Sequence, residues 1–318
     1  MLRKHLFFAM LLLLAVTLIA AGCGNKSSQA DTATAGINKV KIVATIYPVY
    51  EFARQIGGDK VDVSILIPPG AEPHEWEPTA KDLIKVKSAN LFLYNGAGFE
   101  PVHKLLTKEV LGGAIPVEVS QGIPLITGSG HDDGHNHGHN HSSQAEADPH
   151  VWLDPEYAKM EVDTIAVALI QSDQANQEFY RQNANRYKAE LTKLHEEYTA
   201  ALSTVNRRDI VTTHAAFQYL AKRYNLNQIP VMGLAPDAEP TPDKLAAIVK
   251  FCREKQVTTI FFEALVSPRV AQTIAKETGA KLLVLNPADG LTDEDFKKGK
   301  NYLTIMRENL ENLKVALQ

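Results

Sequence analysis

Three histidines sit in three different short motifs: His74 in Pro-His-Glu-Trp-Glu-Pro, His150 in Asp-Pro-His-Val-Trp-Leu-Asp-Pro and His214 in Thr-Thr-His-Ala-Ala-Phe. Each falls where a strand-like or loop segment gives way to a helix-like one. Between the first two lies the tract HDDGHNHGHNH, with His131, His135, His137, His139 and His141. Neutral imidazole is the commonest protein ligand for zinc, so scattered histidines that meet in a fold point to metal handling. Any one of them alone reads equally well as a hydrogen-bonded structural residue; the conjunction favours a metal. His103 and His195 lie on helix-like stretches outside any such motif and read as structural. His74-Glu75 begins the pattern of a zinc-hydrolase helix, His-Glu-x-x-His. Pro78 stands where the second histidine belongs, and proline would break the helix that pattern needs.

The elements that must position these residues alternate between strand and helix. Val40 to Ile46, Val61 to Ile67, Asn90 to Tyr94 and Ile115 to Val119 read as strands. Helices are expected at Pro48 to Gly57, Ala80 to Lys87 (capped by Thr79) and Pro101 to Val110. This rhythm predicts a parallel sheet flanked by helices. Residues 127–147 interrupt it. They are mostly Gly, Ser, His, Asp and Asn, and predict a disordered surface loop. Asp154-Pro155 then opens a helical region, and Gln174 to Val205 contains neither proline nor glycine. One long linking helix and two shorter ones fit that stretch equally well.

The rhythm then repeats. Strands are expected at Asp209 to Thr213, Gln228 to Met232, Thr258 to Phe262 and Lys281 to Leu285, with helices at 217–224, 242–255, 268–278 and 296–317. The fold class is α/β: two lobes, each a mostly parallel sheet, joined by a helix and leaving a cleft between them. The expected boundaries are 39–173, 174–206 and 207–318. Ligands of such sheets bind beyond the carboxyl ends of the strands, where His74 and His214 are predicted to lie.

The N-terminus reads as a targeting segment. Arg3 and Lys4 precede an apolar run, Leu6 to Ile19, too short and wrongly flanked for a lasting membrane span. Ala20, Ala21, Gly22 and Cys23 follow, an order that resembles the lipobox of bacterial lipoproteins, with Ala20 where leucine is usual. An ordinary secretory signal is the alternative. Residues 1–22 are thus expected to be removed, Cys23 to be lipidated, and 23–38 to form a flexible tether at the extracytoplasmic face of the cell membrane. The formal charge is −4; loss of Arg3 and Lys4 with no acidic residue would make it −6. That balance, without a basic stripe, argues against nucleic-acid binding. Cys252 has no partner once Cys23 is lipidated and reads as a buried thiol.

From Val40 to the C-terminus the chain resembles the metal-binding subunits of bacterial ABC importers, in the branch serving zinc and manganese. PHEWEP, DPHVWLDP, THAAF, PDAEPTPDKL, FFEALVSP and NPADGLT carry the resemblance, in that order. It implies one metal held by His74, His150, His214 and a carboxylate, matched here by Asp289. It also implies a monomer that delivers its metal to a permease driven by a cytoplasmic ATPase. Relatives that look manganese-specific tend to carry Glu where His214 stands, so zinc is the expected cargo and manganese the alternative. Three imidazoles and a carboxylate make a closed tetrahedral zinc set with no place for a reacting water, which favours binding over catalysis. The histidine tract resembles the variable loop of zinc-type members and reads as an auxiliary metal site, or as a solvated linker. Glu75, Glu77, Glu239 and Glu263 are candidates to hydrogen-bond ligand histidines, and Trp76 and Trp152 to wall the site. An adhesin would need exposed binding repeats, and none is found.

Overall fold

A computed structural model describes residues 39–127, 147–236 and 239–318. Cys23 and the five tract histidines lie outside these residues.

In the N-terminal half, strands β1 (Val40–Ala44), β2 (Val61–Ile65), β3 (Leu91–Tyr94) and β4 (Ile115–Glu118) form a sheet of order β2-β1-β3-β4, parallel throughout. Successive residues of β3 enter different cores: Leu91 and Leu93 on one face, Phe92 and Tyr94 on the other. Both faces are therefore covered, which is why the strand is apolar without alternation. Helices α1 (Tyr47–Gly57), α2 (Ala80–Lys87), α3 (Val102–Leu105) and α4 (Lys108–Leu111) accompany the sheet. Thr79 and Asp82 close a reciprocal capping box on α2, as expected from Thr79.

The single helix expected over 101–110 is two one-turn helices. Thr107 starts the second by accepting the Val110 N–H, and a hydroxyl used as a cap competes with continuing the first helix through it.

Asp154 caps α5 (Pro155–Ser172) by accepting the Glu156 N–H at 2.9 Å, with Pro155 in the first turn. The chain breaks at Asp173, makes a 3-10 turn over Gln174–Asn176, and re-enters helix as α6 (Gln177–Ser203). The linking helix expected from residue 174 thus begins at 177, and its 27 residues span about 40 Å. Near its start, Asn183 donates to the Ile56 carbonyl of α1 at 2.9 Å. Near its end, the Tyr198 hydroxyl donates to the Met306 carbonyl at 2.6 Å.

The second half has the same sheet order. Strands β5 (Asp209–Thr212), β6 (Asn227–Pro230), β7 (Thr259–Phe262) and β8 (Lys281–Val284) run parallel as β6-β5-β7-β8. They are joined by α7 (Gln218–Arg223), α8 (Pro242–Glu254) and α9 (Arg269–Thr278). The final helical stretch is split into α10 (Asp293–Lys297) and α11 (Tyr302–Leu317). Gly299, at φ 68°, turns the chain, and Asn301 caps α11 by accepting the Thr304 N–H at 2.9 Å.

One hydrophobic core runs through both sheets. It takes Ile42 and Leu93 from the first, Ile210 and Phe261 from the second, and Tyr180, Leu191 and Tyr198 from α6. Residues 39–318 accordingly form one compact unit. Among the described residues no helix is long and apolar enough to cross a membrane.

Candidate metal centre

Each functional side chain leaves the fold just beyond the carboxyl end of a sheet. After β2, Pro68 and Pro69 end the strand, and the Gly70 N–H donates to the Leu291 carbonyl at 2.7 Å. Glu72 then caps a 3-10 turn, Pro73–Glu75, by accepting the His74 N–H at 2.9 Å. His150 follows Asp148-Pro149 after β4. Both its backbone N–H and its Nδ1 meet Asp148 Oδ1, at 2.9 and 2.8 Å. With Nδ1–H donating there, the Nε2 lone pair is free to face the site. His214 comes two residues after β5, its carbonyl accepting from Thr212 Oγ1 and Gln228 Nε2. Its Nδ1 lies 2.6 Å from Glu263 Oε2, just past β7, and Glu263 also accepts from the Thr213 hydroxyl. Asp289 follows β8. The backbone bends through Ala288 at φ 56°, and the Asp289 carbonyl accepts the Tyr47 N–H at 3.1 Å.

The three imidazoles converge. Nε2 of His150 lies 3.2 Å from Nε2 of His74 and 3.4 Å from Nε2 of His214, and the three ring centroids are 5.2–5.4 Å apart. A tetrahedral zinc with Zn–N bonds of 2.0–2.1 Å places its ligand nitrogens about 3.3 Å apart. Asp289 belongs to a second set. Glu72, His74 and Asp289 bring one ligand atom each within 4.8 Å of one another, and this set shares His74 with the imidazole set.

The electrostatics suit a cation. Burial, with His150 and His214 opposite, lowers His74 to about 2. Burial and His214 hold His150 well below the usual histidine range. Both are therefore neutral, the form that ligates. Burial acts to lower His214 as well, but Glu263, with Asp289 and Glu72 beyond it, outweighs this and raises it. Burial pushes Asp148 up to about 7 and Asp289 up to about 8, Glu72 adding to the latter. Glu72 is raised chiefly by burial. Buried carboxylates around neutral imidazoles are costly unless a positive charge joins them.

Aromatic rings wall the site. The Phe99 centroid is 4.8 Å from His74 and the Trp152 centroid 5.3 Å from His150. Trp152 Nε1 donates to the Pro287 carbonyl at 2.7 Å, tying the His150 loop to the Asp289 loop. Trp76 packs against the core shared by both sheets and against the smaller core on the other face of the first sheet.

Of the four glutamates considered as partners of the histidines, only Glu263 takes that place. Glu239 pairs with Arg269 at the surface, Glu77 with Lys104 at 2.5 Å, and Glu75 is exposed. His103 is exposed, and His195 Nδ1 sits 3.1 Å from the Tyr224 hydroxyl, away from the centre. Cys252 is buried. Sequence reasoning missed Asp148 and Glu72. The available signal was spacing, each standing two residues before a site histidine with proline between. The histidine tract springs from Thr127 and Ala147, which form an antiparallel bridge; Asp148 is the next residue.

The family description "Zinc-uptake complex component A periplasmic", ZnuA, matches residues 42–316. The chain is 42% identical over 301 residues to the high-affinity zinc uptake system protein ZnuA of Bacillus subtilis, covering 94% of each. It is 38% identical to the zinc-binding lipoprotein AdcA of Streptococcus pneumoniae over 93% of this chain, and spans 58% of that longer protein. The Zn(II)-bound ZnuA-like domain of Streptococcus pneumoniae AdcA superimposes with a TM-score of 0.73 at 36% identity, covering 88% of this chain and 99% of that one. Sequence, fold and the convergence of imidazoles agree: the chain belongs to the ZnuA family of zinc-uptake proteins.

Proposed function

We propose that this protein captures Zn2+ outside the cytoplasm through His74, His150 and His214, with Asp289 as the fourth ligand, and delivers it to the permease of an ABC importer. The spacing of the three Nε2 atoms, 3.2 and 3.4 Å from His150 to its neighbours, carries the reading. Three imidazoles favour zinc, whereas manganese favours oxygen ligands. Two of the imidazoles are fixed through Nδ1 by a buried carboxylate, so little ordering remains to be done on binding. The role is binding rather than catalysis. Four protein ligands close a tetrahedral shell, and Glu75, the base a hydrolase motif would need, is exposed.

The same reading assigns the finer parts. Lipidation at Cys23 would hold a monomeric body at the membrane beside its permease. The tract histidines 131, 135, 137, 139 and 141 would gather zinc weakly near the centre, since the loop ends one residue before Asp148.

A competitive zinc and manganese titration of metal-stripped protein beginning at Asn25 tests the proposal, on wild type, a deletion of residues 131–141, and His214→Ala. One tight zinc that survives the deletion and weakens sharply in His214→Ala is the expected result. Tight zinc lost with the loop, or a preference for manganese, would refute it.

A further inference from the structure

Two groups of side chains with metal-binding spacing occur among the described residues, and they overlap at one residue. His74, His150 and His214 form the first; Glu72, His74 and Asp289 form the second. They differ in depth. His150, His214 and Asp289 are buried, while Glu72 and His74 are only half-buried, so Glu72 and His74 are met first from solvent, with Asp289 behind them. They differ also in chemistry. Two carboxyl groups and one imidazole offer mainly oxygen donors, which accept a hydrated divalent cation with little discrimination. Three imidazoles discriminate in favour of zinc. Glu72 cannot swing away freely, because one of its carboxylate oxygens accepts the His74 N–H at 2.9 Å; the other remains for a ligand.

Building on the zinc reading above, we propose that Glu72, His74 and Asp289 form an outer receiving site, where a divalent cation first binds before passing to the three imidazoles. His74 and Asp289 stay bound throughout. The bond from the metal to Glu72 breaks as bonds to Nε2 of His150 and His214 form, and the displaced waters leave to solvent. A cation need then never shed its whole hydration shell in one step. Glu72 is a ligand of passage and does not belong to the final set.

Glu72→Gln tests this, because the amide oxygen can still accept the His74 N–H while the charge is lost. Zinc association and chelator-driven release would be followed by stopped flow on the full chain in detergent micelles, alongside equilibrium affinity. Loss of the receiving carboxylate should slow association about tenfold, as removal of a steering charge does. Release should slow by the same factor, leaving Kd within about threefold of wild type, since a step on the path alters both directions alike. Unchanged rates would overturn the proposal, as would a weakened Kd with unchanged association, which would make Glu72 a ligand of the final set. A second measurement uses Mn2+ on the double variant His150→Ala/His214→Ala. Weak Mn2+ binding, seen by electron paramagnetic resonance and abolished by adding Glu72→Gln, supports the outer site; no binding, or binding indifferent to Glu72, overturns it. Failure of wild type to hold zinc tightly would instead bring down the parent reading, and this proposal with it.

Discussion

Glu263 and Asp148 back two of the three converging imidazoles. Each grips the far nitrogen of an imidazole, at 2.6 Å for His214 and 2.8 Å for His150, fixing the ring and the tautomer. Glu263→Ala should weaken zinc binding about 10–100-fold, with Glu263→Gln intermediate, measured by chelator competition. Protonation gives a second prediction at this scale. Asp289 near 8, Asp148 near 7 and the raised His214 all bind protons more tightly folded than unfolded. Their stabilisation is present at low pH and is lost as pH rises through the folded values. His74 and His150, held low, act oppositely, but only below their ordinary value near 6.5. Metal-free protein should therefore lose stability between pH 6.5 and 8 in urea unfolding. Saturating zinc should abolish that trend. Zinc affinity should rise over the same window, with proton release visible in calorimetry across buffers.

At the scale of elements, Asp154 joins two parts of the site's frame. It caps α5, immediately after the His150 turn, and pairs with Arg223 of α7 at 2.7 Å. Arg223 also lies over the Tyr157 ring, 5.5 Å from its centroid. Asp154→Ala loses both cap and pair and should destabilise the protein by about 2 kcal/mol. Asp154→Asn keeps the capping oxygen and should lose less. Urea midpoints of the two variants separate the contributions. The breaks in the helices were legible only in part. Pro155, Thr79 and the glycines that end α1, Gly57 and Gly58, announced themselves, because their backbone preferences are local. The restart at Thr107 was not marked, since threonine is tolerated inside helices and becomes a cap only when packing bends the chain there.

The whole molecule is built around one core shared by both sheets and by α6, which touches α1 near its start and α11 near its end. Opening the lobes widely would expose that core, so metal binding should move them little. Small-angle scattering of metal-free and zinc-loaded protein should give nearly the same radius of gyration. Domains hinged by tens of degrees would contradict this. Zinc should nonetheless raise the melting temperature, because a ligand at about 1,000 times its Kd adds about 4 kcal/mol to the folded state. Excess chelator should reverse the gain.

The sequence by itself determined the α/β rhythm, the place of the histidines and the metal chemistry proposed for them. Hydrophobic runs, prolines and short motifs are local properties, read without knowing what lies opposite. Only the tertiary structure decided which acidic residues serve the site. Glu239 and Glu263 occupy comparable motifs, yet one pairs with Arg269 at the surface and the other supports His214. Asp148 and Glu72 gain their roles from the direction in which two turns aim them. Likewise the division of the centre into two overlapping ligand sets depends on distances between loops far apart in the chain, which no spacing along the sequence encodes.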